Sequence, residues 1–261
     1  MILIVQFLEL KKIKESEPKT KLDDNYLTEL GIQSYDEDNL EQAESHLLKA
    51  LEKNPQDDLA MWFLGAIYFK KKNWPIALDY YEKAVKIKPD KKQLWFQIGY
   101  INFKLQNYEI SKESYEKALA LDQDFFEVWI RLGLTNYMLQ DIPSMINCYL
   151  EAYRINPQDY EAVKLLGSAY DINREYELAI KYLEEALLLS EGDPMAKYVL
   201  GCSYFKHGDE DTGIQLLKEV LETNPDHKVT LDSLSKFLEF IGKDDEAKIY
   251  EERLKLLEKE D

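Results

Sequence analysis

The stretch LGAIYFKKKNWPIALDYYEKA, residues 64–84, reads as two short amphipathic helices joined by a polar turn. Its second residue is Gly65, although glycine inside a helix costs about 1 kcal/mol relative to alanine. Glycine returns every 34 positions through six consecutive registers, at Gly31, Gly65, Gly99, Gly133, Gly167 and Gly201. The chain has 10 glycines in all, so six in one register indicate an internal repeat.

Proline follows the same period, at Pro55, Pro89, Pro157 and Pro225. With the glycine as the eighth residue of each unit, seven units fit without insertion: residues 24–57, 58–91, 92–125, 126–159, 160–193, 194–227 and 228–261. Repeats of this length stack in one dimension, so we predict one repeat domain over residues 24–261 with no internal boundary. The last unit has Ser235 in place of the glycine and a charged end, as expected of a terminal cap.

Three segments carry the first half of a known repeat pattern: MWFLGAIY (61–68), LWFQIGYI (94–101) and VWIRLGLT (128–135). The second half follows in most units as a small residue and then an aromatic residue or leucine, for example Ala77 and Tyr81. The pattern resembles the tetratricopeptide repeat, a helix–turn–helix unit with the signature W-x2-L-G-x2-Y…A-x3-F…P. The resemblance implies an all-α fold, a right-handed superhelical solenoid of seven repeats. Within a repeat, Gly65 and Ala77 are expected to let the two helix backbones approach closely.

A residue suited to helix N-capping stands eight positions after most of the repeat glycines. These residues are Asn39, Asn73, Asn107, Asp141, Glu175, Asp209 and Lys243. We therefore predict that the second helix of each repeat begins directly after this position.

The charge balance limits the kinds of partner that the chain is expected to bind. The chain carries 33 basic and 50 acidic residues, a formal net charge of −17. Binding to nucleic acid or to an anionic membrane surface relies on Lys and Arg, so this balance argues against both. We expect a protein partner instead.

The first 23 residues lie outside the repeats. MILIVQFLEL is apolar, but it lacks a basic flank and a small-residue cleavage site and is too short to span a bilayer. We predict that residues 1–23 form a capping helix and a polar linker of a cytoplasmic protein. If the natural start lies upstream, the alternative is a truncated targeting segment of a membrane-anchored or exported protein.

The residues that usually carry chemistry are scattered. Cys148 and Cys202 lie in different repeats, which favours reduced thiols and fits a cytoplasmic protein. His46, His207 and His227 stand in three different repeats without other ligands at metal-binding spacing. No catalytic set is recognisable either. We therefore predict a protein that is not an enzyme and has no metal, cofactor or small-molecule substrate.

A candidate binding stripe follows the first helices. Helical spacing places the residues three before, one after and four after each glycine on one face. Together with two basic residues beside them, the predicted partner-binding residues are Trp62, Phe69, Phe96, Tyr100, Phe103, Arg131, Leu134, Tyr137 and Lys164. The resemblance implies that this face is concave and binds a peptide or helix of a partner protein. Arg131 and Lys164 are expected to orient an acidic group of that partner.

Within the stripe, Trp62, Phe96, Tyr100 and Leu134 are the better binding candidates, and the other residues have a structural alternative. Phe69, Phe103 and Tyr137 could serve ordinary interhelix packing, while Arg131 and Lys164 have the spacing of ion pairs with acidic residues of their own helices.

The function expected from the sequence is that of an interaction scaffold or adaptor, with a constitutive subunit of a larger assembly as the alternative. One subfamily of the repeat, the co-chaperones with a carboxylate clamp, requires Lys, Asn and Arg at set inner positions. This chain has Thr28, Ile32, Phe63, Gln93 and Gln97 there, so a clamp is disfavoured.

Overall fold

The computed structural model describes residues 25–190 and 192–259 of the chain. Within these residues it contains fourteen α-helices and no β-strand. They are α1 (Tyr26–Asp36), α2 (Leu40–Lys53), α3 (Asp58–Lys70), α4 (Trp74–Ile87), α5 (Lys92–Lys104), α6 (Tyr108–Leu121), α7 (Phe126–Met138), α8 (Ile142–Ile155), α9 (Tyr160–Ile172), α10 (Tyr176–Leu189), α11 (Pro194–His207), α12 (Glu210–Thr223), α13 (Lys228–Phe240) and α14 (Asp244–Leu257). Odd-numbered helices are the first helices of successive repeats, and even-numbered helices are the second. The predicted all-α helical repeat solenoid is confirmed.

The helices fall into two compact units that divide between Asp90 and Lys91. The first unit holds α1–α4 and the second holds α5–α14, so the division coincides with the end of the second repeat. Within each unit, the two helices of a repeat pack together and each second helix packs against the following first helix. The uninterrupted domain and its right-handed superhelix stay predictions, and the predicted N-terminal capping helix lies outside the described residues.

The core lies along the seam between first and second helices. The apolar residue directly before the repeat glycine is buried at Leu64, Ile98, Leu132, Leu166 and Leu200, as is Leu234 before Ser235 in the last repeat. Burying such a side chain stabilises the fold by about 1.5–3 kcal/mol. The helix pairs are therefore held at the positions that define the repeat in the sequence.

Gly65 makes room for an aromatic ring. A Cβ atom on this residue would lie 2.8 Å from Cε1 of Tyr81, closer than carbon atoms approach without a shift. The three atoms nearest to that Cβ all belong to the Tyr81 ring, not to Ala77. The expected close approach between Gly65 and Ala77 stays a prediction; at the same positions of the first repeat, a Cβ on Gly31 would lie 3.3 Å from the backbone oxygen of Ala43. In the second repeat the glycine also makes room for Tyr81, which packs across the helix at this point.

The turn within each repeat uses a left-handed residue that sequence reasoning did not identify. The backbone φ is positive at Asp38, Lys72, Gln106, Gln140, Arg174, Gly208 and Gly242, which all occupy one repeat position. In the fourth repeat this conformation lets the amides of Gln140 and Asp141 donate to the carbonyls of Tyr137 and Asn136, both at 2.9 Å. The first helix is thereby closed immediately before the second begins.

The residues predicted as N-caps do precede the second helices. Asn39, Asn73, Asp141 and Asp209 accept a hydrogen bond from a backbone amide in the first turn. Asn107, Glu175 and Lys243 occupy the same position without a side-chain cap hydrogen bond. The positional prediction is therefore confirmed at every repeat, and the capping bond forms at four of them.

Candidate functional site

The two candidates in the first unit differ in accessibility. Trp62 on α3 is buried, with 8% of its surface exposed. Phe69, near the end of the same helix, is half-buried and meets the ring of Trp74 edge-on at 5.1 Å between centroids. Trp62 therefore presents little surface to a partner, and Phe69 helps to hold the turn between α3 and α4.

In the second unit, Phe96 on α5 belongs to an aromatic packing cluster. Its ring centroid lies 5.4 Å from that of Phe125 and 6.0 Å from that of Tyr115. Both neighbours are buried, so the contacts of Phe96 run toward α6 and the start of α7. Its ring also lies 6.5 Å from Tyr100, which continues the stripe along α5.

Arg131 brings the stripes of α5 and α7 together. Its guanidinium carbon lies 5.3 Å from the centroid of the Tyr100 ring, within the range of a cation–π contact. The same side chain pairs with Glu127 one turn earlier at 3.5 Å, as the i,i+4 spacing predicts. Its buried Nε–H has no hydrogen-bond acceptor within the described residues. Arg131 therefore retains a donor that a bound carbonyl or carboxylate could use.

The accessible part of the stripe lies toward the C-terminal ends of α5 and α7. Tyr137 is 45% exposed, while Phe103 and Leu134 are half-buried. Phe103 also packs edge-on against Tyr108 at 5.4 Å, which supports the turn between α5 and α6. Aromatic residues with this partial exposure can both pack and bind.

Sequence reasoning missed two accessible apolar residues beside this stripe. Met138 and Ile172 are 42% and 45% exposed, at the ends of α7 and α9. The signal was available, because the same repeat position carries a lysine at Lys70, Lys104 and Lys206. Loss of that lysine in the fourth and fifth repeats adds exposed apolar surface at the ends of α7 and α9.

Lys164 on α9 is engaged within the chain. Its ammonium group lies 2.6 Å from Glu161 and 3.3 Å from Asp193, the residue that caps α11. Burial lowers the pKa of Lys164, but the two carboxylates outweigh this effect, and the pKa is raised above its usual value. Lys164 therefore joins α9 to the start of α11, and both of its partners are acidic residues of this chain.

The two cysteines are unreactive thiols. Cys148 and Cys202 are both buried and free. Burial raises the pKa of Cys148 to about 12 and that of Cys202 to about 11, and thiol reactivity requires the thiolate.

Residues 25–190 and 192–259 contain no group of three or more His, Cys, Asp or Glu side chains placed to hold a metal ion. None of their helices has the length and apolar character needed to cross a membrane.

Comparison with known proteins agrees with the repeat structure. Models of the tetratricopeptide repeat match residues 29–92, 92–125, 161–193 and 195–227. A comparison with curated protein sequences found no significant match.

Solved structures with a similar fold include YrrB, described as a TPR protein with an unusual peptide-binding site. It is 20% identical over 72% of this chain and 96% of its own, with a TM-score of 0.66. The MamA protein is 24% identical over 63% of this chain and 90% of its own, with a TM-score of 0.61. PilF of Pseudomonas aeruginosa is 19% identical over 77% of this chain and 92% of its own, with a TM-score of 0.62. The repeat models, the paired helices and these shared folds together establish that the chain belongs to the tetratricopeptide repeat family.

Proposed function

We propose that this chain is a non-enzymatic scaffold that binds a segment of a partner protein through the α5–α7 surface. This surface consists of Tyr100, Phe103, Arg131, Leu134 and Tyr137. The observation that carries the proposal is the contact of Arg131 with the Tyr100 ring at 5.3 Å, which places the two helices' stripes side by side. Repeat solenoids present extended concave surfaces of this kind to their ligands.

The composition of the surface indicates the chemistry of the segment. Tyrosine and arginine are the residues most enriched at the energetic centres of protein interfaces. Tyr137 and Leu134 offer apolar contact, and the Nε–H of Arg131 lacks an acceptor within the described part of the chain. A partly apolar peptide or helix with an acidic residue or a free backbone carbonyl at its centre fits these groups. The peptide-binding site named for YrrB favours the same class of ligand.

The remaining candidates take other roles in this proposal. Trp62 and Phe96 serve packing, because one is buried and the other contacts buried rings. Phe69 lies on α3, in the first unit and outside the α5–α7 surface, and Lys164 is paired with acidic residues of its own chain. Met138, the neighbour of Tyr137 along α7, adds exposed apolar area to the α5–α7 surface.

A constitutive subunit of a larger assembly is the alternative, and exposed apolar residues at Phe240 and Leu256 favour it. The two functions differ in the behaviour of the purified chain. A scaffold for transient partners is monomeric on its own. A constitutive subunit self-associates or requires its partner for solubility.

Affinity capture with a paired melting curve tests the proposal. The variant Phe103→Ala/Tyr137→Ala is expected to lose most of the captured partner, since truncation of an interface anchor costs about 2 kcal/mol or more. Its unfolding free energy should change less than its binding. The control is Ile249→Ala, which removes a similarly exposed apolar residue from α14. Retained capture together with a lowered melting temperature would assign both aromatic residues to packing.

A further inference from the structure

A groove of about 500 Å³ opens in the second unit between α6 and α8, above α7. Its walls and floor include Glu116 and Leu119 of α6, Trp129 and Asn136 of α7, and Asn147 and Cys148 of α8. None of these residues belongs to the α5–α7 surface. We call this feature the α6–α8 groove.

The groove coincides with the loss of a tyrosine from the repeat. Asn136 stands three residues after its repeat glycine, where the fifth and sixth repeats have Tyr170 and Tyr204. The hydroxyl of Tyr204 donates to the carboxylate of Glu184, and Tyr170 stacks on Tyr182 at 5.6 Å. Such a tyrosine therefore packs against second helices, in the space that is open above Asn136.

Both residues of the contact between Tyr204 and Glu184 have counterparts two repeats, or 68 positions, earlier in the chain. Glu116 occupies the repeat position of Glu184, just as Asn136 occupies that of Tyr204. The third repeat thus keeps the counterpart of the glutamate that, in the fifth repeat, receives a phenolic hydroxyl from the sixth, but the fourth repeat lacks the tyrosine. An aromatic ring from another molecule has the corresponding space available.

Asn136 also carries a buried acceptor without a donor. The side chain is 2% exposed, and its Nδ2 donates to Cys148 Sγ at 3.4 Å. Its Oδ1 accepts no hydrogen bond from any described residue. In the preceding repeat the equivalent oxygen, on Asn102, accepts from Asn107 Nδ2 at 3.3 Å. The fourth repeat has Asp141 in place of Asn107, and an ionised carboxylate cannot donate.

The charge at the groove favours a basic ligand. Glu116 is exposed and has no ion-pair partner among the described residues. Lys112, which also borders the groove, is paired with Asp141 at 3.5 Å. The chain as a whole carries a net charge of −17. A cationic group beside the bound ring would therefore meet a carboxylate that has no ion-pair partner of its own.

We propose that the α6–α8 groove binds a tyrosine side chain from a basic segment of a partner protein. The ring lies against Trp129 and Leu119, and its hydroxyl donates to Asn136 Oδ1. A lysine or arginine next to the tyrosine pairs with Glu116. The site does not rest on the function proposed for the α5–α7 surface, with which it shares no residue.

Two end-blocked tripeptides, Lys-Tyr-Lys and Lys-Phe-Lys, are the probes. The chain has 4 tryptophans, so its indole N–H signals can be followed by NMR and that of Trp129 assigned with the variant Trp129→Phe. We expect the tyrosine peptide to shift the Trp129 signal and to bind about tenfold more tightly than the phenylalanine peptide, the effect of one buried hydrogen bond. Equal affinities, or no shift of the Trp129 signal with either peptide, would overturn the proposal.

Matched variants separate the acceptor from the groove. Asn136→Ala keeps the groove and removes the acceptor, so the preference for tyrosine over phenylalanine should disappear. Asn136→Tyr introduces the tyrosine found in the second, fifth and sixth repeats and should abolish binding of both peptides. Asn102→Ala, the same substitution one repeat earlier, should leave both affinities unchanged. A tyrosine preference that survives in Asn136→Ala contradicts the proposal, whether or not Asn136→Tyr folds.

Discussion

At the scale of the residue, one backbone position in each repeat is left-handed. Asp38, Lys72, Gln106, Gln140 and Arg174 adopt this conformation with φ between 56° and 63°, and only the last two repeats place glycine there. A side chain makes this conformation unfavourable by about 1–2 kcal/mol. The repeat period identifies the position in the sequence, but the four residue types found there (Asp, Lys, Gln and Arg) concealed the shared conformation.

This position predicts a stabilising glycine. Gln140→Gly should raise the free energy of unfolding by about 0.5–1 kcal/mol, because glycine adopts positive φ without a steric penalty. Gln215→Gly makes the same exchange at an exposed position inside α12 and should lower it by about 1 kcal/mol. Urea unfolding of both variants measures whether the two changes in the free energy of unfolding have opposite signs. An equal loss of stability in both variants would refute the prediction.

A second prediction at this scale concerns room for a ring. A Cβ on Gly133 would lie 2.4 Å from Cε1 of the buried Tyr149. Gly133→Ala should therefore cost about 1–3 kcal/mol, although alanine is the better helix former. A Cβ atom added to Gly192 would have no other heavy atom within 4 Å. Gly192→Ala should therefore change stability by less than about 0.5 kcal/mol. Thermal unfolding of the pair measures the contrast, and a neutral Gly133→Ala would show that Tyr149 can move aside.

At the scale of the element, Asp193 connects α9 with the start of α11. Its carboxylate accepts from the backbone amide of Met195 at 2.8 Å, from Lys164 at 3.3 Å and from the hydroxyl of Tyr160. Burial alone would raise the pKa of Asp193, but these donors lower it below its ordinary value of 3.8. The ionised form is therefore favoured in the folded state.

The sign of the pH dependence follows from that lowered pKa. The stability that Asp193 contributes is complete above its ordinary pKa and is lost as the pH falls through the lower folded value. Asp193→Asn keeps an N-cap acceptor and removes the charge. The variant should therefore be less stable than the unmodified chain near neutral pH, and this difference in the free energy of unfolding should shrink in acid. Asp193→Ala should cost about 1–2 kcal/mol more near neutral pH, because the cap is also lost. Unfolding curves at several pH values measure both effects. A loss of stability in Asp193→Asn that grows as the pH falls would contradict the role given to the Asp193 charge.

The helices were predictable from the sequence to a larger extent than the surface they present. Glycine, proline and cap positions set the register, because backbone geometry depends on local chemistry. The burial of Trp62 and the internal ion pairs of Lys164 depend on which side chains neighbouring helices supply. A stripe counted along one helix contains no information about those neighbours, so the sequence favoured Trp62 over Tyr137 as a binding residue, whereas the structure buries Trp62 and exposes Tyr137.

At the scale of the whole molecule, the last repeat covers apolar surface of the one before it. In α13, Leu231, Leu234 and Leu238 are fully buried against a cluster that includes Ile214, Leu217 and Leu221. Deletion of residues 228–261 would expose that cluster, and terminal repeats are needed for solubility in such arrays. We expect the truncated chain to aggregate or to lose helicity, as measured by light scattering and circular dichroism. A truncated chain as soluble and stable as the full one would contradict the role as a cap.

Site-specific photo-crosslinking tests the scaffold proposal most directly. A benzoylphenylalanine residue is placed at Tyr137 in the α5–α7 surface or, as the control, at Ile249 in α14, which is at least as exposed. Crosslinking is carried out in cells that express the full chain, and the products are identified by mass spectrometry. The account predicts a specific adduct with a segment of another protein from position 137 and none from position 249. Adducts of equal yield from both positions, or products that contain only this chain, would contradict it.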